Sequence, residues 1–332
     1  MNKVDTPTWT LLWGGTDATE ALKTMVASLT YSDKKAGESD ELSITVEDHD
    51  ARWRNEWMPA KGDVLELAIG YEQRLVDAGR YEIDQIEYSG PPDKLAIHAL
   101  AAGITTDLRT KRNTQYVKKT LPEIAAIVAA RHAMTVIGSP DTDVIDYTAQ
   151  SDQNDLEFLS KISADFGYIF SIKGKSLVFM SDDELMSGPI VETISMNESD
   201  VINWHFVRKS EKIYKDCEVT YFDPATKKTQ RVIYPPHNKP NREASQDTLK
   251  KRLRVQDKAQ ALAKAEALLK RANIGEITVT LAVYGRPTLA AGINIKLNGF
   301  GSGWDDTYHV QKSTHQFDAQ KGYTTTIEVQ RV

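Results

Sequence analysis

From Thr8 to about Ala101 apolar and polar positions alternate in short runs separated by turn residues. Trp9 to Trp13 forms a first run, broken at Gly14-Gly15. Leu42, Ile44 and Val46 mark one face of a second, and Leu65, Leu67 and Ile69 one face of a third, between Lys61-Gly62-Asp63 and Gly70. Tyr81, Ile83 and Ile86 mark a fourth, which ends at Gly90-Pro91-Pro92-Asp93, and Leu95, Ile97 and Ala99 resume beyond that turn. A period of two is the signature of a half-buried strand, so several short strands with turns between them predict a barrel or sandwich.

The period changes after Gly103. Thr120 and Glu123 form a capping box with Pro122 in the first turn, and Ile124, Ile127, Val128 and Arg131 continue a helix. Met134 to Ile137 reads as a strand before Ser139-Pro140-Asp141. The stretch from Tyr147 to Phe170 predicts a strand, a capped helix and a hairpin. Asn154 is its N-cap, Glu157 three residues on reaches back to it, and Leu159, Ile162 and Phe166 fall at helical spacing beside Leu156 and Phe158. Gly167 closes that helix, and Tyr168 to Met180 folds back around Lys173-Gly174-Lys175. Residues 104–196 are therefore expected to form an α+β unit.

From Val201 the pattern returns to strands at Trp204–Val207, Cys217–Tyr221 and Arg231–Tyr234, with a turn at Asp223-Pro224. Residues 235–250, rich in Pro, Asn, Lys and Arg, read as an exposed loop. Asp257 caps an alanine-rich helix over about 257–273, and strands follow at Ile277–Val283, Ile293–Leu297, Tyr308–Gln311 and Thr324–Gln330. Two halves of the chain echo each other. Gly62 to Tyr71 resembles Gly292 to Phe300, Tyr81-Glu-Ile83 parallels Tyr308-His-Val310, and Leu95-Ala-Ile97 parallels Thr325-Thr-Ile327. Similarly patterned hairpins produce such an echo by chance, and a duplicated barrel produces it by descent.

Composition changes this picture little. The 332 residues, 40% hydrophobic and 27% charged, suffice for two or three domains with cores of their own. The lone Cys217 excludes an internal disulfide framework and suits a reducing cytoplasm; the N-terminus has no signal-peptide pattern, and no apolar run spans a bilayer. Charge is uneven: residues 205–275 carry 17 Lys and Arg against 8 Asp and Glu, leaving 24 against 39 elsewhere. That block is either a solvated surface or a face for an acidic protein partner, and it lacks the interleaved aromatics of single-strand nucleic-acid binders.

Candidate chemistry is sparse. The seven His show no metal-binding spacing, although His309 and His315, an even number apart, could share a strand face. Cys217 reads as a buried small hydrophobe, Asp182-Asp183-Glu184 as solvated acids, and Gly299-Phe300-Gly301-Ser302-Gly303 as a hairpin loop without the lysine or helix of a phosphate site. Trp53 and Trp57, with Arg52 and Arg54, form either an interface patch or a corner of the core. No catalytic, cofactor-binding or metal-binding residue is assigned.

The stretch from Tyr147 to Gly167 resembles the signature of the phage late control protein D family, shared by contractile-tail baseplate hubs and type VI secretion spike proteins. Tyr147, Gln150, Asp155, Phe158, Leu159 and Gly167 match its pattern, while Gln153, Asn154 and Lys161 stand where Glu, Ser and Arg are usual. Asn154 preserves the cap that Glu157 completes. The resemblance extends over nearly the whole chain and implies a mainly β fold: two similar tube-type β-barrels, over 1–103 and 197–332, plus the α+β domain at 104–196. It also implies a homotrimeric, non-enzymatic hub with no cofactor, located in the virion tail baseplate and assembled in the bacterial host cytoplasm. Its partners would be a trimeric central spike protein, a hexameric tail tube protein, other baseplate proteins and the tape measure protein, with no specific nucleic acid and no membrane insertion. One alternative is a type VI-like spike component; those chains usually continue into a C-terminal needle, whereas this one stops at Val332 after its last strand. The other, a tail-associated cell-wall hydrolase, requires a carboxylate pair or metal cluster in a cleft.

Overall fold

The computed structural model describes residues 6–34, 39–101, 108, 110–138, 140, 142, 144–166, 168–173, 176–181, 187–198, 200–223, 226–235, 246–253, 255 and 257–332. The first module comprises β1 (Pro7–Trp13), β2 (Thr16–Asp17), the short α1 (Thr19–Lys23), β3 (Val26–Lys34), β4 (Glu41–Glu47), β5 (Val64–Tyr71), β6 (Arg74–Ser89) and β7 (Lys94–Ala101). Its strands lie in the order β3-β4-β7-β6-β5-β1-β2, antiparallel throughout. The alternating residues expected to point inward do so: Leu42, Ile44, Val46, Leu65, Leu67, Ile69, Leu95 and Ile97 are buried in one core.

The α+β unit contains β8 (Arg112–Thr120), α2 (Leu121–Arg131), β9 (Thr135–Ile137), β10 (Val144–Gln153), α3 (Asp155–Asp165), β11 (Tyr168–Lys173) and β12 (Ser176–Ser181). β8 and β10 form a ribbon, and β9, β11 and β12 a second small sheet. Both helices start as expected, with complete capping boxes at Thr120–Glu123 and Asn154–Glu157. Their apolar faces meet in a separate core around Ile124, Val128, Phe158, Leu159 and Phe179.

The remaining elements are β13 (Ile190–Ser195), β14 (Val201–Arg208), β15 (Asp216–Asp223), β16 (Lys228–Tyr234), β17 (Thr248–Arg252), α4 (Lys258–Asn273), β18 (Ile277–Tyr284), β19 (Asn294–Asn298), β20 (Asp306–Asp318) and β21 (Gly322–Arg331). Two boundaries differ from the sequence expectation. β13, expected within the α+β unit, pairs in parallel with β19 and buries Ile194 among second-module residues. The 197–332 segment is also not one barrel, since β15, β16 and β17 form their own sheet covered by α4, with a core of Cys217, Val219, Tyr221, Ala261 and Ala265. Thr248–Lys250, expected in the loop over 235–250, instead begin the strand Thr248–Arg252; its Lys-rich sequence suits an edge that pairs on one side only. This sheet interrupts the second module between β14 and β18.

With that insertion set aside, the second module runs β14-β18-β21-β20-β19-β13, and the first runs β3-β4-β7-β6-β5-β1. Chain order corresponds strand for strand. The echo extends to backbone detail. Gly62 N–H donates to Ile83 O at 2.8 Å and Ile83 N–H to Asp63 O at 2.9 Å, while Gly292 N–H donates to Val310 O and Val310 N–H to Ile293 O, both at 2.9 Å. Gly62 and Gly292 hold φ of +88° and +90°, a region that favours glycine. Register shifts fall between Ile83 and Gln85 in one module and Val310 and Lys312 in the other, and again between Val26 and Ser28 and between Val201 and Asn203. Tyr81 and Tyr308, both buried, each donate a hydroxyl to a nearby backbone carbonyl, of Ala78 and Trp304. Chance resemblance between hairpins does not reproduce bulges at corresponding positions. The modules also differ: β1 is antiparallel to β5 whereas β13 is parallel to β19, and the register shift between Leu67 and Ala68 has no counterpart in the β19–β20 ladder.

Candidate functional site

Two of the signature residues, Gln150 and Asp155, meet at a buried carboxylate that also gathers partners from outside the signature. Asp155 opens α3, and its side chain is fully buried. Arg131 at the end of α2 donates to both of its oxygens at 2.8 Å, His132 Nε2 contacts Oδ2 at 2.7 Å, Gln150 Nε2 on β10 donates to Oδ1 at 2.8 Å, and Arg112 Nε on β8 lies 3.6 Å away. Four elements are thereby tied at one point. Burial pushes the Asp155 pKa up, and the hydrogen bonds from His132, Gln150 and Arg131 more than offset that, so it lies below the ordinary carboxylate value. Phe158 and Leu159, one turn on, are buried in the core, and Phe158 stacks on Tyr116 of β8 with ring centroids 5.3 Å apart. Tyr147 points the other way: it is exposed, opposite Val117, and belongs to the ribbon's outer face. Gly167 lies outside the described residues. Sequence patterns indicated neither Arg112, Arg131 nor His132 as members, because a contact between residues 131 and 155 leaves no local periodicity.

A second constellation joins the two modules. β20 pairs through Asp306–Leu297 and its neighbours with β19, then continues past its bulge to pair Lys312–Asp318 with Ser28–Lys34 of β3. His315 stacks on Tyr31 at 5.6 Å, while Phe317 and Tyr323 complete the first module's core. The first module is therefore finished by residues far outside 1–103. His315 Nε2 lies 3.1 Å from the Leu289 carbonyl, which can only accept, so Nε2 carries the proton and Nδ1 faces the Tyr323 hydroxyl at 2.9 Å. Burial lowers the His315 pKa to about 4, and it stays neutral near neutral pH. Asp33 Oδ2 accepts from Ala291 N–H at 2.8 Å, and Tyr71 Oη donates to Gly285 O at 2.7 Å. Gly285 must be glycine, because a Cβ there would sit 1.9 Å from the Tyr323 ring. Beside it, Arg286 binds Glu192, Glu198 and Asp200, holding β13 and the start of β14 against the end of β18.

The other candidates resolve individually. His309 and His315 do not share a face, since the bulge between Val310 and Lys312 inverts the alternation; His309 meets Asn294 at 2.6 Å instead. Cys217 is buried. Trp53 is buried and Trp57 half-exposed, their rings 5.8 Å apart, with Arg52 4.8 Å above Trp57; they border a shallow apolar recess of about 220 Å³ with Trp13, Leu22 and Met25. The Gly299–Gly303 loop joins β19 to β20, and Phe300 N–H donates to Asp305. Asp182-Asp183-Glu184 lies outside the described residues. Among the described residues no group of three His, Cys, Asp or Glu is placed to hold a metal ion, and no helix is long and apolar enough to cross a membrane.

One constellation ties together the elements of the α+β unit, and the other joins the two copies of the six-strand module. Known proteins agree with that architecture. The chain is 25% identical to the probable baseplate hub protein of Escherichia phage 186 over 98% of this chain and 92% of that protein. Its fold matches a tail protein from Neisseria meningitidis MC58 with a TM-score of 0.70, at 12% identity over 98% and 97% of the two chains. It also matches the Escherichia coli c3393 protein, a component of the type VI secretion system, with a TM-score of 0.58, at 13% identity over 93% of this chain and 74% of that one. The phage tail baseplate hub (GPD) family model covers residues 98–321, most of the chain and the whole signature, and the protein belongs to that family.

Proposed function

We propose that this baseplate hub works as a homotrimer that adapts a sixfold tail tube to a threefold central spike. The observation that carries the reading is the duplicated six-strand module, matched in strand order, bulges and glycine conformation. Three copies would present six nearly equivalent surfaces to a hexameric tube protein, while the chain itself repeats only three times around a trimeric spike. Mechanism here is binding and transmission of load, and the two modules are joined for it by a continuous β20–β3 ladder rather than a flexible linker. The signature cluster is read as structural: Gln150, Asn154, Asp155, Glu157, Phe158 and Leu159 build the α+β unit, which would stand outside the ring.

Light scattering on the purified chain, alone and mixed with the spike protein of the same particle, tests this. A threefold chain mass, or one formed on adding spike, is expected; a monomer in both samples contradicts it. A second reading, a spike component of a type VI-like system, is supported by the fold shared with c3393. Tight association with a separately encoded tail spike favours the hub.

A further inference from the structure

We propose that the edge of β14 in one copy pairs antiparallel with the outer edge of β6 in a neighbouring copy, in the register that β3 and β20 use within the chain. The proposal rests on the homotrimeric hub reading and names the strands that close it. Within the chain, β20 carries β21 along one edge; its other edge holds first β19 and then, beyond the bulge, β3. β6 is the counterpart of β20. It carries β7 along one edge and β5 over Arg74–Glu82 on the other, and beyond Glu82 that edge meets no strand among the described residues. β14 is the counterpart of β3. It pairs with β18 on one side, and on the other no strand meets it among the described residues. The two unpaired edges are thus the counterparts of the two edges that meet inside the chain.

Burial at corresponding positions follows the same logic. Leu29 on β3 is 0% exposed, while Trp204, its counterpart on β14, is 42% exposed. His315 on β20 is 1% exposed, while Tyr88, its counterpart on β6, is 39% exposed. The Tyr88 hydroxyl is held by Asp93 and Asp48 within the chain, which leaves its ring and that of Trp204 as bulky surface on edge strands, and such surface is a pairing surface unless something covers it. The register carries across directly. Tyr31 opposes His315 and Ser32 opposes Thr314, whose hydroxyls are 3.4 Å apart. Their counterparts place Phe206 opposite Tyr88 and Val207 opposite Glu87 of the neighbour. Because this contact joins unlike faces, repeating it closes a ring when the rotation allows.

The test introduces Val207→Cys with Glu87→Cys into the full chain, whose own Cys217 is buried. A displaced control combines Val207→Cys with Gln85→Cys, one pleat away. Under mild oxidation the matched pair should shift from the one-chain band to two- and three-chain bands on a non-reducing gel, reversibly, and the control should not. In the unmodified chain, amide exchange over 203–207 and 85–89 should slow on assembly. An assembled oligomer whose matched pair stays uncrosslinked, whose displaced pair crosslinks instead, or whose exchange at these edges is unchanged overturns the strand pairing and leaves the hub reading standing. A chain that neither assembles nor crosslinks at any concentration overturns both.

Discussion

At the scale of single residues, Asp155, Leu159 and His315 bear the most. Truncating Leu159 to Ala empties a fully buried position, and the expected loss is ~2–5 kcal/mol, read as a lowered denaturation midpoint with an unchanged slope. Asp155→Ala leaves the Arg131 charge without its bidentate partner and should cost ~3–5 kcal/mol. The two titrating groups give separable acid limbs. The Asp155 pKa is lower folded than unfolded, so its contribution is complete above about pH 4 and is lost as pH falls through the folded value. His315 takes a proton at 6.5 when unfolded but only at about 4 when folded, so stability falls as pH drops through that window, by ~3 kcal/mol in all. Thermal melts of wild type between pH 7 and 4 should show this loss. His315→Gln, less stable at pH 7 because its hydrogen bonds and its stacking on Tyr31 are disturbed, should be flatter across the same window.

At the scale of elements, the seam of the second module depends on Arg286. It is 15% exposed and its pKa is raised, because the attraction of Glu198, Asp200 and Glu192 exceeds the cost of burying it. Arg286→Ala leaves three carboxylates repelling each other across β13 and β14; they keep some water, so a loss of ~2–3 kcal/mol is expected, below that of a fully buried pair. Amide exchange should accelerate in β13 and β14 before it does in β20 and β21. Elements with strict alternation or a capped apolar stripe were legible in the sequence, among them β4, β5, β7, β18, α2, α3 and α4. β3 was not: its inward residues Leu29 and Tyr31 are separated from others by Ser and Thr, and Asp33 is buried through a contact with residue 291. β8 and β17 leave little trace in the sequence because each is polar along most of its length and is held by a single partner strand supplied from elsewhere in the chain. The signature helix was legible down to its cap, whereas the arginines and histidine around Asp155 come from separate elements brought together only by folding.

At the scale of the whole molecule, the duplication was visible as an echo of glycines, tyrosines and strand spacing, and the ladders set Leu95, Ile97 and Ala99 opposite Val46, Ile44 and Leu42 just as they set Thr325, Ile327 and Val329 opposite Val283, Leu281 and Val279. Domain limits were less legible, because the second module is interrupted by a sheet of its own while its β20–β21 hairpin finishes the core of the first. Such interlocking suits a part that bears load, since the modules cannot separate without breaking a shared ladder. The most direct test of the claim that one chain supplies two equivalent modules to a ring is electron microscopy of the assembled hub, averaged end-on without imposed symmetry. Six lobes around a channel, alternating in two slightly different forms, are predicted. A ring with three lobes, or six identical ones from six chains, would contradict it.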